Sequence, residues 1–294
     1  MASKNKAMVL AAGLGTRLRP LTDLISKPMA PIVNKPVMEH IIELLRENDF
    51  TEIVCNLHWY PEAIKDYFGD GSKWGVKITY SYESELLGTA GGVKNVEAFF
   101  ENEAFLILSG DALTDINLKE LFAFHKEKGG ICTLALTEVE DPSQYGVVML
   151  DNNNRIMGFQ EKPLMGEEKS KLANSGIYVF EPDIFRYIPP GSFYDFGRDL
   201  YPRLLEENIP YYGYKHSQYW NDVGSFEEYQ QGNFDALEGR VKVNIPGVQI
   251  NEGIWLGKNC KIEEEVVVIP PLVIGNNCVI KKGAKLYGPI IIGD

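Results

Sequence analysis

Five short segments carry side chains that could hold a phosphorylated small molecule. The first is Gly13-Leu14-Gly15-Thr16-Arg17-Leu18-Arg19-Pro20, directly after the apolar run 7–12. Glycines at the end of a buried strand let backbone N–H groups approach phosphate oxygens. Thr16, Arg17 and Arg19 add a hydroxyl and two cations, as a triphosphate requires. It is not a Walker loop, because no Gly-Lys-Ser/Thr follows. Nor is it a dinucleotide fingerprint, because Leu18 stands where a third glycine belongs. The second segment is Ser26-Lys27-Pro28-Met29, whose lysine sits on a loop stiffened by Pro20 and Pro28. The third, 86–92 (LLGTAGG), offers small residues against which a base or ribose can lie. The fourth and fifth place Asp111 after the run FLILSG, and Asp222 inside Trp220-Asn221-Asp222-Val223-Gly224. Mg²⁺ is commonly held by one or two carboxylates together with substrate phosphates, and Asp111 and Asp222 fit that number.

Alternating apolar strand-like runs and amphipathic segments position these groups. Strands are expected at 7–12, in TEIVCNL, VKITYSY, FLILSG and ICTLALTEV; helices at 37–48, 61–69 and in NLKELFAFHKEKG. Such alternation predicts an α/β fold with a mostly parallel, Rossmann-like sheet. Ligands then bind outside the carboxyl ends of the strands, where the loops after residues 12 and 110 lie. From about residue 140 shorter runs (YGVVMLD, RIMGFQE, ANSGIYVF, YYGYKH) suggest an antiparallel or mixed layer over the open side of the sheet, forming a lid or sugar pocket.

The last fifty residues repeat differently. Ile250, Leu256, Ile262, Val268, Ile274, Ile280, Leu286 and Ile292 fall every six residues, and the residues two before each are apolar or small. Gly257, Gly275 and Gly293 recur every eighteen. This is a hexapeptide repeat, and it predicts a short left-handed β-helix. Cys260 and Cys278 would stack inside it, one coil apart. The domains are therefore expected at 1–240 and 241–294, the second incomplete at its C-terminal end, so that more chain or another copy would cover it.

Bulk composition excludes other classes. Over 294 residues the formal charge is −12 and 45% of residues are hydrophobic. An acidic, ordinarily apolar chain does not suit nucleic-acid binding. There is no signal-peptide core or membrane-spanning run, and no CxxC pair among Cys55, Cys132, Cys260 and Cys278. The expectation is a cytoplasmic protein with reduced thiols, no nucleic acid, no membrane, and room for a homo-oligomer.

GLGTRLRPLT, SKPM, LGTAGG, SGD, YGVV, FQEKP, NSGIYVF and WNDVG, in this order, resemble the nucleotidyltransferases that make sugar nucleotides. The resemblance is greatest to the bacterial branch of mannose-1-phosphate guanylyltransferases and related glucose-1-phosphate enzymes, which carries the same tail. It implies transfer of a nucleoside monophosphate from an NTP to a hexose 1-phosphate, with Mg²⁺. Arg17, Lys27, Asp111 and Asp222 would be catalytic, the two aspartates as metal ligands. Leu10, Ala12, Gly13, Gly15, Thr16, Arg17, Glu85, Gly88, Thr89 and Gly110 would line the nucleotide. Gly146, Glu161, Lys162 and Asn174 would hold the sugar phosphate. A carboxylate at Glu85 could accept from the guanine edge, which favours GTP over UTP or dTTP. The expected pair is GTP with mannose 1-phosphate and the alternative UTP or dTTP with glucose 1-phosphate; no residue separates mannose from glucose. Two rival functions remain: a silent sugar-nucleotide sensor, which should have lost phosphate or metal ligands, and a hexapeptide acyltransferase, which should carry a histidine that 241–294 lacks.

Overall fold

The computed structural model describes residues 5–293, so the outermost residues of the two expected domains lie outside it. By chain contacts the fold forms two compact units. One comprises residues 1–14, 42–110 and 116–220; the other comprises 15–41, 111–115 and 221–294.

The first unit is built on a sheet that has nine strands among the described residues: β1 (Asn5–Ala11), β2 (Phe50–Leu57), β3 (Lys77–Tyr82), β4 (Phe105–Ser109), β5 (Cys132–Glu138), β6 (Gly146–Leu150), β7 (Ile156–Glu161), β8 (Leu172–Phe180) and β9 (Tyr212–Lys215). The order β3-β2-β1-β4 is parallel throughout. Its central strands are near-continuous apolar runs, such as Phe105-Leu106-Ile107-Leu108, because a parallel strand is covered on both faces. β1 and β4 are neighbours, with Ala7 opposite Leu106 and Leu10 opposite Ser109. Gly13 and Gly110 therefore leave the sheet at the same edge. The amide of Gly110 donates to the Leu10 carbonyl at 2.9 Å.

Beyond β4 the sheet becomes mixed: β8 runs antiparallel to its neighbours, while β9 pairs parallel with β5. β8 pairs with β4 over Ile177–Phe180 and touches β6 at Ala173, while β5 runs along its other edge. The change of partner happens at a bulge. Gly176 has φ +73°, and the Asn174 side chain accepts from its amide at 3.1 Å. A Cβ at Gly176 would meet Ser109 Oγ at 2.7 Å. The runs after residue 140 thus belong to one continuous sheet, with β6 and β8 inside it and β7 and β9 at its margins, not to a layer over it as their brevity suggested. The core is aromatic: Phe100, Phe105 and Phe185 stack, as do Phe196, Tyr201 and Tyr211.

In the second unit, residues 254–292 form three sets of parallel ladders. Ile254 pairs with Leu272 and Leu272 with Ile290; Lys261 pairs with Val279; Val267 pairs with Lys285. Every offset is eighteen residues, as the sequence phase demands. Corners repeat with the same offset in left-handed backbone, at Asn259 and Asn277 and at Glu265 and Gly283. Leu272, Ile274 and Ile280 form the buried centre. The phase fails at its start. Val248 and Ile250 are 69% and 47% exposed, because Val248–Asn251 pairs antiparallel with Ile254–Leu256 as a hairpin instead of completing a coil. Cys260 and Cys278 are half-buried; each thiol meets a carbonyl fifteen residues on, at Gly275 and Gly293.

Candidate active site

The second unit gathers Arg17, Lys27, Asp111 and Asp222. Residues 16–29 wind through three short 3-10 turns, Thr16–Leu18, Leu21–Asp23 and Lys27–Met29. Gly15 opens the loop at φ +63°, and a Cβ there would meet Lys27 Cβ at 2.9 Å and Thr22 Cγ2 at 3.0 Å. The Thr22 hydroxyl donates to the Gly15 carbonyl at 2.8 Å. Only glycine allows this closure, which brings the arginine turn against the lysine.

Lys27 is nearly buried. Its Nζ lies 2.8 Å from Asp111 Oδ2 and donates to the Asp222 carbonyl at 2.7 Å. Arg17, half exposed, reaches Asp222 Oδ2 at 3.2 Å. Burial raises the Asp222 carboxyl above the usual aspartate range, and the Glu228 carboxylate adds to this; Lys27 and Arg17 oppose it, and Asp111 pushes it further up. Gly15, Thr16, Arg17, Leu18, Lys27, Asp111 and Gly224 line a cavity of about 190 Å³. That volume admits phosphate groups and an ion but not a whole nucleotide.

Asp222 is aimed by an unusual turn. Val223 is fully buried at φ +47°, a region that β-branched residues avoid. Its amide donates to Asn221 Oδ1 at 2.7 Å, and the Gly224 amide donates to Glu228 Oε2 at 3.1 Å. Ser225 caps the helix Phe226–Leu237 by accepting from the Glu228 amide. A Cβ on Gly224 would crowd Asp222 Oδ2 and the Arg17 guanidinium.

The first unit holds a second constellation. The Glu161 carboxyl lies against Gly146 and Gly197, where a Cβ on either glycine would crowd Oε2. Its pKa is raised, first by this partial burial and then by Asp195, with Lys162 and Arg198 opposing. Lys162 is exposed and adopts φ +45°. Asn174 uses its side chain on the β8 bulge and on the Tyr178 hydroxyl, 3.0 Å away.

The LGTAGG segment opens the helix Gly88–Asn95. Its glycines are filled by chain: a Cβ at Gly88 would meet the Tyr194 carbonyl at 2.6 Å, and one at Gly91 the Ser192 carbonyl at 2.7 Å. The Thr89 hydroxyl donates to Asp195 Oδ2 and accepts from the Phe196 amide. Asp195 in turn accepts from the Gly197 and Arg198 amides. The expected nucleotide residues Gly88 and Thr89 are therefore also the fastening for the segment beside Glu161. Glu85 is exposed, whereas Glu83 is buried and accepts from Asn56 at 2.8 Å and from the Leu87 amide at 3.0 Å. Leu10 and Ala12 flank the end of β1, and Asn56 Oδ1 accepts from the Ala11 amide.

Sequence reasoning missed Glu83, Asp195, Gly197, Asn221 and Glu228. For Glu228 a signal existed: Ser225-x-x-Glu228 is a capping-box spacing.

The nucleotidyl transferase family profile matches residues 6–239. The chain belongs to the nucleotidyl transferase family. It is an enzyme of that family, and its relatives are named as sugar-1-phosphate nucleotidyltransferases. A UTP–glucose-1-phosphate uridylyltransferase of Synechocystis sp. is 43% identical, covering 86% of this chain and 69% of its own length. A mannose-1-phosphate guanylyltransferase of Mycobacterium tuberculosis is 34% identical, covering 79% of this chain and 65% of its own. A UDP-glucose pyrophosphorylase solved with UDP-glucose matches the fold at a TM-score of 0.70 and 24% identity, over 80% of this chain and 99% of that one. The nucleotidyltransferase fold and both constellations are thus present in one chain, and the sensor reading is not favoured.

Proposed function

We propose that this nucleotidyltransferase joins an NTP to a hexose 1-phosphate, giving an NDP-sugar and pyrophosphate. The reading is carried by one observation: a nearly buried Lys27 shared by Asp111 and the Asp222 carbonyl, with Arg17 on the Asp222 carboxylate. A phosphate monoester is already anionic near neutral pH, so the attacking oxygen needs no general base. It forms a bond to the α-phosphorus in line with the departing pyrophosphate, whose bond to that phosphorus breaks. The protein's work is positioning and charge neutralisation.

Gly13, Gly15 and Thr16 would cradle the triphosphate, Arg17 would grip it, and Lys27 would meet the reacting phosphates. Leu10, Ala12, Gly88, Thr89 and Gly110 would line the nucleoside. Glu161 would accept from sugar hydroxyls, Lys162 would meet the sugar phosphate, and Gly146 and Asn174 would shape that pocket.

Divalent metal suits the donors. Asp111 and Asp222 offer hard oxygen ligands, and no cluster of three candidate ligands exists among the described residues, so substrate phosphates would complete the shell. Mg²⁺ held there would neutralise charge on the departing pyrophosphate.

Two substrate pairs have support. UTP with glucose 1-phosphate rests on the 43% identical relative. GTP with mannose 1-phosphate rests on the 34% identical relative and on a carboxylate at Glu85. Residues 241–294 are, in our reading, a left-handed β-helix domain; the eighteen-residue ladders and a family match ending at residue 239 support that division. No helix among the described residues is long and apolar enough to cross a membrane, and a cytoplasmic location accords with the substrates.

Mass spectrometry of products after incubation with each of GTP, UTP, dTTP, ATP and CTP, crossed with mannose 1-phosphate and glucose 1-phosphate, tests the reading. An NDP-hexose from one pair supports it. Intact substrates in every mixture, from folded protein, would overturn it.

A further inference from the structure

Val223 poses a question that the reaction does not answer. It is fully buried with φ +47°, between the Asp222 side chain and Gly224. A β-branched residue stays in that region only where its surroundings hold it there. What holds it is identifiable. Asn221 works in both directions: Oδ1 accepts from the Val223 amide at 2.7 Å, and Nδ2 donates to the Glu228 carbonyl at 3.0 Å. Glu228 closes the ring from the other side, since Oε2 accepts from the Gly224 amide at 3.1 Å and its own amide donates to Ser225 Oγ at 3.1 Å. Three hydrogen bonds thus tie residues 221–225 to Glu228 in the first turn of the helix Phe226–Leu237, and a fourth, from the Val223 amide to Asn221 Oδ1, closes the turn itself.

The turn fixes the direction of Asp222. Its carbonyl faces Lys27 Nζ, its carboxylate faces Arg17, and Gly224 passes so close that a Cβ would meet Asp222 Oδ2 at 2.6 Å. A relaxed turn would free this carboxylate to rotate. We propose that Asn221 and Glu228 are positioning residues for nucleotidyl transfer: they lock the strained Val223 turn and so hold the Asp222 carboxylate aimed for a divalent cation. The inference rests on the metal role given to Asp222 above. Neither residue is among those assigned above to the substrates or the metal. They act as outer partners do at metal sites, where losing such a group costs about 10–100-fold in metal affinity.

The test compares Glu228→Ala, which removes the acceptor for Gly224, with Glu228→Gln, which keeps it and removes only charge. Two quantities are read on each protein: the Mg²⁺ concentration giving half-maximal pyrophosphate release with the productive substrate pair, and the dissociation constant for Mn²⁺ in the presence of the NTP, from the resonance of free Mn²⁺. Glu228→Ala is expected to raise both about tenfold while the rate at saturating Mg²⁺ stays within about twofold. Glu228→Gln is expected to shift both far less than Glu228→Ala, since it keeps the acceptor for Gly224 and loses only the charge that acts on Asp222. Unmoved curves for Glu228→Ala overturn the proposal. So does a lowered saturating rate without a Mg²⁺ shift, or Glu228→Gln behaving like Glu228→Ala. If Glu228→Ala does not fold, Asn221→Asp decides by the same readings, since it keeps the acceptor for Val223 and loses the donor to Glu228. A Mg²⁺ shift supports the proposal and a native curve overturns it. Asp222→Asn separates the two layers. If it leaves Mn²⁺ binding intact, the metal assignment itself falls; if it abolishes binding while Glu228→Ala and Asn221→Asp bind normally, only the positioning role falls.

Discussion

Lys27 Nζ lies 2.8 Å from Asp111 Oδ2 and, with the side chain nearly buried, also donates to the Asp222 carbonyl at 2.7 Å. One cation therefore fixes both acidic positions before any substrate arrives. That is the preorganisation expected of a site that accelerates a reaction through placed charge.

Changing Asp111 to Asn keeps the size and one oxygen while removing the charge. Pyrophosphate release should fall by about 10²-fold or more, with the unfolding midpoint close to that of the native protein. Near-normal turnover would remove Asp111 from the machinery.

Gly15→Ala strains a φ of +63° and brings a Cβ to 2.9 Å from Lys27 Cβ. The expected outcome is a raised KM for the NTP, with a stability loss of about 1–3 kcal/mol. Denaturant unfolding beside steady-state kinetics checks it. A native KM would mean the loop does not carry the triphosphate.

Much of this was legible in the sequence. Parallel strands declare themselves as apolar runs, and Phe105–Leu108 is buried on both faces as such a run requires. An eighteen-residue phase can only come from stacked coils, and the ladders follow it. What stayed hidden depends on distant partners. Gly88 and Gly91 read as room for a base, and nothing in the sequence signals that residues 192–194 pack against the side where a Cβ would stand. Glu83 and Glu85 are equal as letters, and only the fold buries one of them against Asn56. Val248 and Ile250 keep the six-residue phase although a hairpin takes them out of the coil.

Glu161 should show itself through pH. Its carboxyl is raised by partial burial and by Asp195, so it begins to take up a proton at a higher pH than an ordinary glutamate. The ionised form is the one that accepts from sugar hydroxyls. The KM for the sugar phosphate should therefore climb as pH falls from about 7 to about 5, more steeply than the titration of the sugar phosphate itself accounts for. Glu161→Gln should remove the excess. Parallel profiles would contradict the role.

His40 predicts a stability trend. Burial, then Lys35, lowers its pKa to about 4 from 6.5, while Nε2 lies 3.1 Å from the Ile32 carbonyl. The unfolded chain binds the proton more readily, so the contribution is complete above about pH 6.5 and is lost as pH falls towards 4. The full difference is roughly 3 kcal/mol. Urea unfolding at pH 7 and pH 5 should show the drop, and His40→Gln should flatten it. Equal slopes in the two proteins would refute this source.

The most direct measurement is pyrophosphate release by the isolated protein with UTP and glucose 1-phosphate, and with GTP and mannose 1-phosphate, in the presence and absence of Mg²⁺. We expect release with at least one pair that requires both substrates and the metal, and that collapses in Asp222→Asn. Release from the NTP alone, release indifferent to Mg²⁺, or none with either pair would contradict the account.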